Sequence, residues 1–263
     1  MATKGMFVSF MQVRGMIAPF LSDAHPAPMR VLIGCETSGV VRRAFAAYGY
    51  DVWSVDVLPA EDGSNRHIIG DVRDYLGEGW DLLAVMHPPC TRLCNSGVRW
   101  LDEPPTKLNQ NYSAADIAAY AAMDRDARLA FMWAKLDEGA ALFSDCWNAP
   151  VERVCVENPV MHRHARERIR NWAKPQTVQP WWFGDPAFKA TGLYLRGLPP
   201  LVPTKKLTPP ARGTEEHKAR SQVHRASPGP DRWKDRSRTY EGLAAAMAAQ
   251  WSTAAARQME AAE

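Results

Sequence analysis

The stretch Asp81-Leu82-Leu83-Ala84-Val85-Met86-His87-Pro88-Pro89-Cys90 decides the reading of this chain. An acid opens an apolar run, Leu82 to Met86, that is short enough for one buried strand. His87-Pro88-Pro89 ends the run, because proline has no N–H to give to a sheet ladder. The strand therefore delivers Cys90 onto a stiff loop at its carboxyl end. In an open α/β sheet that edge is where ligands bind. An isolated cysteine at a strand end reads as a small buried thiol. The restricting prolines and the partners described below favour a nucleophile instead.

Upstream, Val31-Leu32-Ile33 is a short apolar strand running into Gly34-Cys35-Glu36-Thr37-Ser38-Gly39. A helix follows, with Val40, Val41, Ala44, Phe45 and Tyr48 on its apolar side and Gly49 as its C-cap. Asp51 to Asp56 is a second strand that ends in an acid, and Arg66 to Gly70 carries a third, closing on Asp71. Strand, helix and strand at this spacing indicate a βαβ unit and a parallel sheet. Downstream, Ser113 and Asp116 form a capping box at the start of one long helical segment whose apolar face runs from Ile117 to Leu136. Val151 to Val156 is a strand followed by Glu157-Asn158-Pro159, Gly192 to Leu195 is another, and a helix from Gly242 to about Arg257 closes the chain.

The bulk numbers set the limits. The 263 residues suit one α/β domain, and 46% apolar content is ordinary for a protein with a sizeable core. The net charge of +3 does not by itself demand a polyanion. Its distribution says more, since Leu201 to Tyr240 holds ten basic against four acidic residues, a nucleic-acid surface or a solvated loop. Five cysteines, at 35, 90, 94, 146 and 155, form no paired Cys-x-x-Cys frame. The odd count suits reduced thiols in a cytoplasm. His162-x-His164 stands without further ligands at zinc spacing, so no metal is expected. No run of about 18 apolar residues is present, so no membrane span is expected. Residues 1–28 read as a poorly ordered extension ahead of a domain at 29–263, and Ser227-Pro228-Gly229-Pro230 reads as a hinge. Trp172, Trp181, Trp182 and Phe183 are core packing or stacking platforms for bases.

The acids after the early strands suit a nucleoside. Asp56 stands where a carboxylate accepts both ribose hydroxyls, and Asp71 where one accepts an adenine amino group. Gly34 and Gly39 permit close backbone approach in the first loop.

The order of the pieces is the stronger signal. A Gly-bearing first loop, an acid after strand two, Gly70-Asp71 after strand three, Pro88-Pro89-Cys90 after strand four and Glu157-Asn158 after strand five resemble the DNA (cytosine-5) methyltransferases. The resemblance covers about residues 30–100 and 150–200 and the last helix, and it is to the compact, phage-type relatives. It implies a Rossmann-like S-adenosylmethionine-dependent methyltransferase fold with a small basic C-terminal insertion. It also implies S-adenosylmethionine at Gly34, Glu36, Gly39, Asp56, Asp71 and Pro88. Cys90 then attacks carbon 6 of cytosine and Glu157 contacts the ring nitrogen and exocyclic amine. In place of the family's Gln-x-Arg-x-Arg segment the chain reads Phe183 to Leu195, where Lys189 and Thr191, with Asn158, are the candidate substrate contacts. DNA is the implied partner, through residues 201–240. Two other readings stay open: a same-fold enzyme modifying a free pyrimidine nucleotide, and a non-catalytic DNA-binding relative.

Overall fold

In the computed structural model, the structure describes residues 28–85, 87, 88, 90–109, 112–221 and 232–260. The expected N-terminal extension, apart from Pro28, and the expected hinge at 227–230 lie outside the described residues, as do Met86 and Pro89.

Seven strands form one sheet in the order β3-β2-β1-β4-β5-β7-β6. The strands are β1 (Arg30–Gly34), β2 (Asp51–Asp56), β3 (His67–Ile69), β4 (Leu82–Val85), β5 (Arg153–Asn158), β6 (Gln176–Val178) and β7 (Thr191–Arg196). The first five pair in parallel, whereas β7 runs antiparallel to both β5 and β6. This is the Rossmann-like architecture that the sequence predicts. The strand order reverses between β1 and β4, so the crevice at their carboxyl ends is the topological switch point. The Gly34 loop and the His87–Cys90 loop leave the sheet there.

Alternation along the strands builds two cores. Val31, Ile33, Leu82, Ala84 and Cys155 face α1 (Val40–Ala46) and the last helix, α7 (Glu241–Glu260). Leu32, Leu83, Val154 and Val156 face α3 (Arg125–Trp147), through Met132, Leu136 and Phe143. Both faces are covered, which is why the strands read as nearly continuous apolar runs.

Three expectations are corrected. The single helix from Ser113 is two helices, α2 (Ala114–Ala121) and α3. Ser113 accepts from Asp116 N at 3.0 Å, but Asp124 starts a second helix by accepting from Ala127 N at 2.8 Å. Strand β6 escaped the sequence reading because three residues pairing at a sheet edge carry no period of their own. Glu157 and Asn158 belong to β5 rather than following it. Antiparallel β7 pairs Leu193 with Glu157 and Gly192 with Asn158, two residues beyond the parallel pairing of Val156 with Val85. Three of the four aromatics pack: Phe183 is buried in one core, with Trp182 against it, and Trp172 packs on the other.

Helix α7 is anchored by Trp251, which is fully buried, stacks on Phe45 with centroids 6.4 Å apart and donates to Pro199 O at 3.1 Å. Truncation there leaves a large cavity. We expect Trp251→Ala to lower unfolding stability by about 3–5 kcal/mol in urea titrations. A loss near zero would mean that α7 is not held through this side chain.

Candidate functional site

The first loop is organised around Glu36. Its buried carboxylate accepts from Val41 N at 2.8 Å, Arg42 N at 3.3 Å and Ser38 Oγ at 3.1 Å, and so caps α1. Burial pushes this carboxyl up, and those hydrogen bonds oppose the rise. Glu36 is thus committed to the backbone of its own loop. Gly39 enters the helix at φ +67°, where a Cβ would lie 2.5 Å from Arg42 Nη2 and 2.6 Å from Asp62 Oδ2. Only glycine fits that corner. Gly34 is the last residue of β1.

Asp56 ends β2 half-buried, with Oδ1 accepting from Leu58 N at 2.9 Å, and burial raises its carboxyl. Beside it Val57, Leu58 and Ile69 expose apolar side chains, 69%, 43% and 64% accessible. A carboxylate next to open apolar surface has the chemistry for a ribose and a flat heterocycle. Asp71 differs from expectation. It caps the turn Val72–Tyr75 and is bound by Arg73, whose Nε lies 2.9 Å from Oδ1 and whose guanidinium pairs with Oδ2. Arg73 holds the Asp71 carboxyl below its usual range. An adenine amino group would have to share that carboxylate with Arg73.

On the other side of the switch point the structure gathers several residues around a small cleft lined by His87, Glu157, Lys189, Thr191, Thr239, Tyr240 and Leu243. Glu157 is 2% exposed. Its Oε2 lies 3.0 Å from His87 Nδ1, and its Oε1 is buried with no partner among the described residues. Burial pushes this carboxyl up, but His87 and Lys189 outweigh the burial and hold it below its ordinary value. Burial lowers His87, and the nearby Lys189 lowers it further. With a proton on Nδ1 the imidazole donates to Glu157 Oε2, and Lys189 adds compensating charge. Lys189 is itself lowered by burial, against the pull of Glu157 and Cys90. Thr191 is buried and donates to Lys189 O at 3.1 Å. Asn158 is fully buried, and neither polar atom of its amide has a partner among the described residues.

Cys90 departs from expectation. It is half-buried and does not line the cleft, although Glu157 and Lys189 are near enough to act on its thiol. Its carbonyl accepts from Leu93 N at 2.9 Å and Cys94 N at 3.0 Å, a tight turn that brings the two thiols into hydrogen-bond contact. The donors of this loop serve Cys94, which meets the Ser96 hydroxyl at 3.0 Å and the N–H groups of Ser96 and Gly97. The hydrogen bond from Cys90 first, and then these Ser96 and Gly97 donors, lower Cys94 to about 5 against its burial, so the thiolate is favoured there. Cys90 is raised, first by its bond to Cys94 and then by burial. The loop is clamped from behind by His162, whose N donates to Leu93 O at 3.0 Å and whose Nε2 meets Arg92 O at 2.6 Å.

Four residues of the cleft were missed in the sequence: His87, Thr239, Tyr240 and Leu243. His87 reads there only as a strand terminator, and Thr239 carries no motif. The signal for His87 is a histidine placed directly before Pro88 and Pro89; for Thr239 there is none.

The basic segment folds back beside this cleft. Lys205 N donates to Trp182 O at 3.1 Å, Leu207 N to Trp181 O at 2.8 Å, and Phe188 N to Arg220 O at 2.8 Å. Arg220 is tied to Thr208 O and Glu216, whereas Lys205, Lys206 and Arg212 are exposed. Among the described residues no cluster of His, Cys, Asp and Glu forms a metal site, and no helix is long and apolar enough to cross a membrane.

No protein-family model matches the chain, and no curated protein matches it. Three solved structures similar to it are methyltransferases. One is assigned as a DNA modification methyltransferase encoded within a prophage (E. coli), with 14% identity and TM-score 0.36, covering 64% of this chain and 46% of that one. Another is the Entamoeba histolytica methyltransferase EhMeth, with 13% identity and TM-score 0.40, covering 69% and 58%. A third is a triple mutant of Spodoptera frugiperda DNMT2, with 12% identity and TM-score 0.32, covering 71% and 53%. The chain therefore spans less than two thirds of the length of each.

The thiol assignment is testable without any substrate. Brief alkylation near pH 6.5 should label Cys94 before Cys90, and trypsin cutting after Arg92 separates the two for mass spectrometry. Preferential labelling of Cys90 would place the thiolate on the other sulfur.

Proposed function

We propose that this chain transfers a methyl group from S-adenosylmethionine to carbon 5 of cytosine in DNA. The observation that carries the reading is the meeting of the loop after β4, which holds His87 and Cys90, with Glu157, Lys189 and Thr191 beside one cleft. Asp56, with the apolar surface of Val57, Leu58 and Ile69 beside it, has the chemistry to hold the nucleoside part of the cofactor. The Gly34–Gly39 loop, Asp71 and Pro88 complete the proposed cofactor site. S-adenosylmethionine supplies an electrophilic methyl group on a sulfonium when bound.

The chain's own residues supply the rest. Carbon 5 of cytosine is a poor nucleophile until a thiolate adds at carbon 6 and makes it enamine-like. Cys90 forms that bond after exchanging its hydrogen bond to Cys94 for the base; carbon 5 then takes the methyl group, leaving the demethylated cofactor, and loss of the carbon 5 proton to a base or water expels the Cys90 thiolate and restores the ring. Cys94, with its donors, is the adjacent group that can take the thiol proton. Glu157 Oε1 accepts from the exocyclic amine; assistance at nitrogen 3 requires the carboxylate first to take up a proton, against the pull of His87 and Lys189. Lys189 and Asn158 offer further donors to the ring's acceptors. A duplex target must be flipped out of the stack to reach this depth. Lys205, Lys206 and Arg212 lie on the segment that folds beside the cleft and would meet the phosphates.

The test is methyl transfer to DNA from labelled S-adenosylmethionine, followed by nucleoside mass spectrometry. Wild type should yield 5-methylcytosine, and Cys90→Ser should yield none. DNA containing 5-fluorocytosine should trap wild type covalently but not Cys90→Ser, because fluorine blocks the elimination at carbon 5. DNA affinity should fall steeply with salt. Neutralising Lys205, Lys206 and Arg212 together should flatten that slope by about three phosphate contacts. Methylation of free deoxycytidine nucleotides with no DNA binding would favour the nucleotide reading. DNA binding without methyl transfer would favour the non-catalytic one.

A further inference from the structure

His87 makes two directed contacts inside the cleft. Nδ1 lies 3.0 Å from Glu157 Oε2, and Nε2 lies 3.1 Å from Thr239 Oγ1. Its backbone is in the left-handed region at φ +55°, uncommon for a residue with a side chain. Such a conformation persists only where the surroundings hold it. Both contacts are buried: Thr239 is 6% exposed and Glu157 2%. The two partners come from distant parts of the chain, β5 and the segment ahead of α7. With the proton on Nδ1, the ring donates to the carboxylate and accepts the Thr239 hydroxyl on Nε2. This consumes Oε2 and leaves Oε1, which has no partner among the described residues.

We propose that His87 is a positioning residue for Glu157: the imidazole holds Oε2 and registers Thr239, so that Oε1 is presented to the base. Its role in turnover rests on the methyl-transfer reading above; its effect on the carboxylate does not. The segment beside Thr239 is held in the same place by Lys189, whose Nζ donates to Ser237 O and Arg238 O at 3.4 Å each. Loss of the imidazole would leave the carboxylate free to rotate and the segment ahead of α7 with one anchor fewer.

The ionisable groups acting on Glu157 are known. They are His87 from the loop after β4, Lys189 from the segment ahead of β7, Cys90 from the cysteine loop and Cys155 from β5 itself. Burial raises the Glu157 carboxyl, and His87 and Lys189 lower it. Removing His87 takes away one of the two lowering influences, so the carboxyl must titrate at higher pH. The left-handed backbone suggests clean variants, because glycine and asparagine both tolerate it. His87→Gly removes the ring, and His87→Asn keeps a donor of suitable length.

The experiment follows the Glu157 carboxyl carbon by NMR in full-length protein labelled with carbon-13 glutamate, assigned with Glu157→Gln. In His87→Gly the titration midpoint should rise by about one pH unit or more, and in His87→Asn by less. In methyl-transfer assays kcat should fall about 10–100-fold in His87→Gly, with KM for the cofactor little changed, and recover in part in His87→Asn. A residue that only packed the cleft would lower the melting temperature and leave the midpoint in place. An unchanged midpoint in folded His87→Gly would overturn the proposal. If His87→Gly does not fold, nitrogen-15 NMR of wild type decides: a ring carrying a proton on Nδ1 supports the proposal, and one protonated on Nε2 alone overturns it. A raised midpoint together with a wild type that transfers no methyl supports the positioning role and counts against the methyl-transfer reading alone.

Discussion

A carboxylate held almost out of water at the end of β5 governs the arrangement of this molecule's cleft. Removing such a charge from solvent is costly unless it is paired and hydrogen-bonded. The pairing draws on three separate parts of the chain. His87 comes from the loop after β4 and supplies the hydrogen bond. Lys189 comes from the segment before β7 and supplies the charge. Thr239, ahead of α7, takes the far side of the imidazole. The buried acid is the point at which these segments meet. The left-handed backbone at His87 is what lets a strand ending in prolines turn its ring toward that acid.

The sheet supplies the stage. Parallel strands bring the ends of β1, β2, β4 and β5 to one edge, so loops that are distant in sequence emerge together. Antiparallel β7 does something the parallel strands do not. By pairing two residues beyond the end of the β4–β5 ladder, it keeps Glu157 and Asn158 in regular, rigid strand. Side chains on a strand are held more closely than on a loop. The same strand begins at Thr191, two residues after Lys189, so the cation and the acid it balances are placed by a single ladder.

The last helix ties the two halves of the site together. Trp251 fixes α7 against α1, and α1 in turn grows from the Glu36-capped first loop. Just ahead of α7, Arg238 pairs with Glu61, which also accepts from Thr37 Oγ1 of that first loop at 2.8 Å. The segment that carries Thr239 therefore spans from the candidate cofactor loop to the candidate base cleft. The cysteine loop is held separately, by His162 from behind and by the Cys90–Cys94 contact within. Its resting state stores the thiolate one turn away from the proposed nucleophile.

The succession of strands and helices along the chain, the parallel sheet and the placing of Asp56, Cys90 and Glu157 at strand ends were legible in the sequence. Each depends on local signals: apolar runs of strand length, prolines that end them, glycines and capping side chains that punctuate helices. The break between α2 and α3 was also written there, in Asp124, and was overridden by the continuous apolar pattern on either side. Other features were decided by tertiary structure alone. The three residues of β6 become a strand only because β7 offers an edge. Glu36 and Asp71 look available in the sequence, yet folding assigns Glu36 to the N–H groups of α1 and Asp71 to Arg73. The thiolate moves to Cys94 because Cys90 and the donors of the loop converge there. His87 finds Thr239, 152 positions away in sequence. Hydrogen bonds and charge pairs act over a few ångströms, whereas local sequence signals reach only a turn or a strand. Where the strands end was therefore written in the chain's pattern, and which side chains are spent and which are left for a ligand was settled only when those ends came together.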